Sequence, residues 1–402
     1  MRTISLLSCA LLLPVMATAQ DPQTPGSTAS DLGMPVPGWA QGIIESFDKP
    51  LHPVIGSVAS GGGLGFGVGY DSPERTPWYQ EAEAMVTVRR YWLLDAEIGR
   101  RSASKRAQIG AFATVRHMGR MDFFGIGPQS AFDDRSAFRL RENTFGTRGW
   151  FQAVPAVRVG GSVAAYIPDL GPGASPVVRS IEEVFTPSSV PGFDSEPTFG
   201  RYRAFVEFTR GAAAYPALVE SGSYRAVYQL AAEAVRDHTS GRHDFHRWEV
   251  GTQHQIPGFR PGQRLTLHGF VATTNSGSDV PFYMMYTLGG AGGLKSFRPE
   301  LLGSDGTRAT LRGFRSYRFR DRNLLLMQAE YRIPVHKSVH TTVFVDAGQV
   351  APRPSDLLSD LRANTGFSLS FIRKGKTLGR MDVGFGGGEK MNLSWTFGGF
   401  QN

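Results

Sequence analysis

The 402-residue chain has a single cysteine, Cys9. Beyond its first twenty residues it holds no run of about 18 consecutive apolar side chains. The first shortage excludes a fold stapled by disulfides, on which many small exported domains depend. The second excludes a membrane-spanning helix, which takes about 20 apolar residues. Charge of one sign is not concentrated either. The net charge of +8 is spread along the chain and interleaved with Asp and Glu, so there is no basic block of the nucleic-acid type. Nucleic acid is not an expected partner.

What is present begins with an export signal. Met1, Arg2 and Thr3 form a short basic start, residues 4–16 are apolar, and Ala17-Thr18-Ala19 supplies the small-x-small pattern of a signal peptidase site. The mature chain is expected to begin near Gln20, and Cys9 leaves with the signal. Residues 21–37, rich in Pro, Gly, Ser, Thr and Asp, read as a flexible leader. Trp39, Ile43 and Phe47 share one helical stripe, which suggests a short periplasmic helix ended by Pro50 and Pro53. The expected division is a signal peptide at 1–19, a leader at 20–53 and a barrel at 54–402.

From residue 61 onward the hydrophobic period is two. Leu64, Phe66, Val68 and Tyr70 alternate with glycines, and Trp92, Leu94, Ala96 and Ile98 alternate with Asp95 and Glu97. Ala82 to Val88, Ile109 to Val115, and Phe138 with Leu140 against Arg139 and Arg141 continue the series. Tyr202 to Phe208, Tyr224 to Ala234, and Leu265 to Val271 face away from Arg201, Arg203, Glu207, Arg225, Gln229, Glu233, Arg264 and His268. Apolar-out, polar-in alternation in segments of about 9–11 residues is the signature of a transmembrane barrel, and about 14 to 16 such segments are present. The fold class predicted is all-β, a transmembrane antiparallel β-barrel of about sixteen strands. Two long connections interrupt it, at 168–198 and 288–319, the second basic and Gly-rich.

The last segment alternates Met391, Leu393, Trp395 and Phe397 with Asn392, Ser394 and Thr396, and Phe400 follows near the end. A final amphipathic strand closing in aromatics looks like the signal read by the outer-membrane insertion machinery, an expected partner during biogenesis. Gln401 and Asn402 after the aromatic depart from that pattern. No enzyme constellation emerges. Gly160-Gly161-Ser162-Val163-Ala164 approaches a nucleophile elbow but ends in Ala within a strand pattern. His238, His243 and His246, near Asp237 and Asp244, match no standard metal-ligand spacing. Gly61-Gly62-Gly63 lacks the Lys and helix of a phosphate loop. No catalytic, cofactor-binding or metal residue is assigned, and the chain is expected not to be an enzyme.

The most specific stretch is Leu311-Arg312-Gly313-Phe314-Arg315-Ser316-Tyr317-Arg318-Phe319-Arg320-Asp321-Arg322-Asn323, followed by Ala329-Glu330-Tyr331-Arg332-Ile333-Pro334 and Val343-Phe344-Val345-Asp346-Ala347-Gly348. Together with Phe123-Phe124-Gly125-Ile126-Gly127-Pro128 and the Gly-rich strand at 61–70, it resembles the surface-antigen barrel of the BamA/TamA outer-membrane assembly superfamily. The resemblance implies that an Arg-Gly-Phe tip, here Arg312, Gly313 and Phe314, is folded back into the lumen. It also implies that the motif of Phe344, Asp346 and Gly348 lies on a following strand. Alternation alone turns Gln328, Glu330 and Arg332 inward, and then Phe344, Asp346 and Gly348. An arginine fork matches carboxylates and keeps its charge. Arg312 is therefore expected to clasp Asp346 with Glu330 beside it, Gly313 giving the approach and Phe314 a wedge.

Assembly members of that superfamily carry periplasmic POTRA domains before the barrel. Here about 40 mature residues precede the Gly-rich strand, fewer than a domain of ordinary size, so a POTRA-less member is expected. The implied function is protein insertion into, or translocation across, the outer membrane. A passive pore is the alternative. Expected partners are outer-membrane lipids and lipopolysaccharide and unfolded client proteins, with self-association left open. One outcome is checkable at once. Amino-terminal sequencing of the protein from an outer-membrane fraction should start at Gln20 or Asp21, and recovery as a soluble periplasmic protein would count against the barrel.

Overall fold

The computed structural model describes residues 46–47, 49–73, 76–173, 175, 177–211, 223–275, 279–290, 310–373, 376–386 and 391–397. Sixteen strands form one sheet in which successive strands pair antiparallel. The first eight are β1 (Leu51–Gly56), β2 (Gly65–Asp71), β3 (Trp78–Thr87), β4 (Trp92–Arg101), β5 (Ala107–Phe123), β6 (Ser136–Val154), β7 (Val157–Pro172) and β8 (Phe199–Gly211). β9 (Arg225–Asp237), β10 (Phe245–Pro257) and β11 (Arg264–Thr274) lead to a long loop containing the short paired strands β12 (Tyr286–Leu288) and β13 (Phe319–Asp321). The sheet resumes with β14 (Asn323–His336), β15 (Val339–Ala351), β16 (Arg362–Arg373), β17 (Lys376–Gly386) and β18 (Met391–Phe397). The signal, most of the leader, the helix read at 39–47 (up to residue 45) and Phe400 lie outside the described residues.

The alternation becomes two solvents. Phe66, Val68, Leu94, Ile98, Val163, Val250, Val343 and Val345 stand exposed on the outer face, where only an apolar surrounding is compatible with so continuous a band. Their neighbours Asp95, Glu97, Arg201, Glu233, Glu249 and Asp346 are buried inside. The lumen tolerates these charges because register pairs opposite signs across adjacent strands. Arg158 sits directly opposite Glu207 on β7 and β8 and bonds it at 3.0 Å. Arg201 Nε on β8 donates to Glu233 Oε1 on β9 at 2.7 Å.

Two details differ from the pattern read off the sequence. The Gly-rich strand is the second, because Leu51–Gly56 pairs with it, from Leu51↔Tyr70 to Gly56↔Gly65. Pro53 masked this strand in the sequence, yet a proline is tolerated at a sheet edge. Phe138 and Leu140, expected to face out, are fully buried inside. Strands β5 and β6 run for 17 and 19 residues, well beyond the roughly 10 that cross a bilayer. In the overhang the polarity reverses. Arg139 turns outward to Asp169 at 2.8 Å, while Phe123, Phe138, Phe199, Phe245, Phe282 and Tyr283 pack into an apolar cap across the lumen.

The connections sort by end. At one end lie the turns at 155–156 and 337–338, and at the other the loops at 173–198 and 352–361 and the long loop. β1 and β18 approach one another, with Cα atoms within 8 Å, but no ladder joins them among the described residues. The outer band makes a direct prediction. Val345→Arg near the middle of β15 should cost about 2–4 kcal/mol of barrel stability, whereas Val345→Leu should be close to neutral. Urea unfolding of the lipid-reconstituted protein measures both.

Candidate functional site

The long loop enters the lumen through its own short ladder. Leu288 pairs with Phe319 across β12 and β13. The Gly290 N–H donates to the Leu311 and Phe314 carbonyls at 3.1 and 2.9 Å, and the Phe314 N–H returns to Leu311 O at 3.1 Å. These bonds close a tight turn over 311–314 and press its middle against the barrel wall. Phe314 packs edge-on to Phe319, ring centroids 5.3 Å apart, within a cluster that includes Leu288, Leu311, Leu324, Leu326 and Val350. Gly313 is required by proximity. A Cβ there would lie 2.6 Å from Asn364 Cβ and 3.0 Å from the Phe385 backbone carbon. Gly384 on β17 leaves the matching space, since a Cβ on it would lie 2.6 Å from the Gly313 nitrogen.

Arg312 is wholly removed from solvent. Its Nε donates to Asp346 Oδ2 at 2.9 Å, its backbone N–H reaches the same oxygen at 3.2 Å, and its Nη2 bonds Asp346 Oδ1. Its Nη1 bonds Glu330 and lies 3.5 Å from Asp382 Oδ1. The guanidinium plane stacks over Phe344, 3.5 Å from the ring centroid, which adds a cation–π attraction in a desolvated place. The structure thus brings Arg312, Glu330, Asp346 and Phe344 together. Gly348 lies further along β15, where a Cβ would meet Leu325 O at 2.6 Å and Leu288 Cδ1 at 3.2 Å.

The network is larger than the three charges read from the sequence. Arg380 on β17 donates from Nη1 and Nη2 to Glu330 at 3.0 and 2.9 Å and from Nε to Asp382 at 2.8 Å. Ser368 Oγ donates to Asp382 at 2.6 Å. Gln328 and Asn364 each donate a side-chain amide to Asp346 at 3.1 Å. The signal for Arg380 and Asp382 was present, two residues apart on one face of β17. Nothing local distinguished them from any other polar pair lining a lumen. Two arginines against three carboxylates leave the cluster one charge negative, and the amide and hydroxyl donors offset the excess.

Beyond the clasp the loop touches both sides of the seam. Asn392 on β18 donates to the carbonyls of Arg312 and Phe314 at 2.7 and 2.9 Å. Ser60, in the β1–β2 connection, bonds Ser316 at 2.7 Å. Tyr317 takes a left-handed φ of 60°, unusual for an aromatic residue, and is buried in the apolar cap. The segment 123–128 docks on the loop's return arm. Gly127 N–H donates to Arg320 O at 2.8 Å, Arg318 stacks over Phe124 at 5.0 Å, and Arg318 Nη1 reaches Ser130 Oγ at 2.9 Å. Arg320 lies among Phe123, Phe138 and Phe282 at 5.7, 5.7 and 5.8 Å and donates to Phe282 O at 2.7 Å.

The remaining sequence candidates lie apart from this centre. His243 is buried with Nδ1 2.6 Å from Asp279 O and Nε2 3.2 Å from Ser195 Oγ, so both ring nitrogens hold loops together. Asp237 accepts the backbone N–H groups of Thr239 and Ser240 at 2.8 and 2.9 Å and so shapes the turn. Ser162 lies mid-strand in β7, and Gly61 and Gly63 take φ of 78° in the β1–β2 connection. Trp395 is half-exposed on β18, and the backbone of Phe397 ends that strand against Gly379.

Residues 243–393, from the start of β10 into β18 and including the whole clasp, match the Omp85 superfamily domain. Strands β1 to β9 lie outside that match. The barrel is similar in fold to BamA from Haemophilus ducreyi lacking POTRA domains 1-3, at 14% identity and a TM-score of 0.53, covering 85% of this chain and 68% of that one. It is also similar to CdiB from Escherichia coli, at 10% identity and a TM-score of 0.55, covering 86% and 62% of the two chains. CdiB from Acinetobacter baumannii aligns at 10% identity and a TM-score of 0.50, covering 86% and 57%. The chain therefore spans less than two thirds of either CdiB. Among curated proteins no sequence matches.

The burial of the clasp sets the size of its response to mutation. Arg312→Ala leaves Glu330, Asp346 and Asp382 around Arg380 alone, and removing one partner of a buried ionic network costs on the order of 3–5 kcal/mol. Lys should restore only part of this, because a point charge cannot serve Asp346 with two parallel bonds. Heat-modifiable gel mobility should show Arg312→Ala unfolding at the lowest temperature, Arg312→Lys between, and the parent highest. Equal mobility transitions would mean that the clasp does not stabilise the barrel.

Proposed function

We propose that this barrel inserts polypeptides into, or moves them across, the outer membrane, with its short turns in the periplasm and its long loops outside. The observation that carries this reading is the loop tip at Arg312. It is clasped to β14, β15 and β17 and, through Asn392 and Ser316, touches both sides of a seam that has no ladder among the described residues. A barrel that only conducts has no need of a loop anchored across its weakest junction. Opening that junction would give a client strand access to unpaired backbone and to lipid at once. The apolar cap across the lumen also stands in the way of free conduction. The activity requires no catalytic chemistry. Clients would be unfolded chains, and lipopolysaccharide and lipids would surround the outer band.

The loop's contact with the β1 side of the seam gives the test, helped by a mature sequence without cysteine. In Ser60→Cys with Ser316→Cys, the side chains start 2.7 Å apart, so a disulfide should form without large backbone movement. Oxidation should stop client insertion in proteoliposomes, and reductant should restore it, with folding unchanged. Full insertion by the oxidised protein would overturn the proposal. Large steady conductance of the unmodified barrel without client insertion would favour the pore.

A further inference from the structure

The outer wall is not evenly filled. On β3, β4 and β5 the register sets Ala82, Ala96 and Ala113 side by side in one outward row. In the next row towards the long-loop end, Ala84 stands between Val68 and Leu94. The short side chains leave an apolar recess of about 370 Å³ beside the exposed Val68 and Leu94. Directly above it the wall changes character. Two residues from Leu94, about 7 Å along the strand, Trp92 starts an outward row that continues through His117 and Arg141 to Asp169. Trp92 stacks on His117 with ring centroids 5.7 Å apart, and the exposed Arg141 lies over Trp92 at 5.9 Å. Asp169 is bonded by Arg139 at 2.8 Å, and Glu196 accepts the Leu170 N–H at 2.7 Å. Arg90, in the β3–β4 connection at the same end, is exposed as well. Among the described residues neither Arg90 nor Arg141 has a carboxylate within bonding distance.

We propose that this stretch of wall binds one phosphorylated glycolipid of the outer leaflet, a lipopolysaccharide molecule, with a phosphate at Arg141 and Arg139 and an acyl chain in the alanine recess. Guanidinium groups match phosphate oxygens in pairs, and tryptophan settles at headgroup height. A recess left empty forfeits its contacts on one side, and the surrounding hydrocarbon is what can fill it. The order of the parts selects the leaflet, because the charged end lies towards the long loops and the recess towards the middle of the bilayer. A lipid of the other leaflet would hold its phosphate at the opposite rim, where Trp78 and Arg100 are paired and exposed. A second copy of the chain fits less well. Two barrels related by an axis along the membrane normal would set this basic rim against itself. The site rests on the barrel's orientation given above, with the long loops outside, and not on the handling of clients.

Native mass spectrometry of the full mature chain in a neutral detergent tests it, with lipid A as the probe beside dephosphorylated lipid A and phosphatidylglycerol. One lipid A per barrel is expected, with both control lipids held at least tenfold more weakly. Arg139→Gln with Arg141→Gln should weaken lipid A at least tenfold, and Arg100→Gln at the other rim should leave it unchanged. Ala96→Phe with Ala113→Phe fills the recess and should also weaken binding. All of these variants should keep the parent's heat-modifiable mobility, because every changed side chain faces outward. Equal retention of lipid A by the parent and both site variants, equal binding of either control lipid, or a lipid-free dimer would overturn the site. Protease access to the long loops in intact cells reports the orientation separately. Cleavage is expected, and protection would overturn the outer-leaflet assignment while leaving lipid binding in detergent intact.

Discussion

A guanidinium withdrawn from water must be met by carboxylates, and in this barrel that requirement decides where the longest loop can lie. Asp346 and Glu330 sit on neighbouring strands with both side chains turned inward. They form a fixed receptor in the wall, and Arg312 at the loop tip fills it, meeting Asp346 with two parallel bonds. The rest of the local architecture follows. Gly313 and Gly384 remove the side chains that would hold the tip off the wall, Phe344 floors the charge, and Arg380 shares Glu330 and Asp382 with Arg312. Such a network gives geometry more than raw stability, because the desolvation of each charge offsets much of the attraction. Its effect is to make one loop position far better than any other.

The lumen is consequently divided. Its outer portion is closed by an apolar cap in which the loop's Tyr317 and Arg320 take part, the arginine resting on three phenylalanine rings rather than on an acid. Its middle is the ionic clasp, and its short-turn end is polar and rich in arginine. One loop contacts both upper layers and both sides of the seam, so displacement of the tip would disturb cap, clasp and closure together. That coupling is mechanical, carried by named bonds at Asn392, Ser60, Gly127 and Asp346.

Period-two alternation was enough to indicate a barrel of about sixteen strands and to say which face of β14 and β15 looks inward, because strand geometry permits only two directions for a side chain. It therefore put Glu330 and Asp346 in the lumen, and the Arg-Gly-Phe triplet marked the loop tip. Alternation could not report the height of a residue. Phe138 and Leu140 have the same pattern as lipid-facing pairs, and only the overhang of β5 and β6 beyond the membrane turns them into the cap. Nor could it find β1, whose proline and short length leave no period to read. Arg380, Asp382 and Asn392 lie 68, 70 and 80 residues beyond Arg312 in the numbering. Their partnership with the loop depends on the curvature that brings β17 and β18 round to meet it. Within the membrane-crossing part of each strand, the sequence by itself determined which face meets lipid and which the lumen, since that is a local property of the pleat. Which charges meet across the lumen was decided only when the sheet curled, because distance through an enclosed space has no counterpart along a chain.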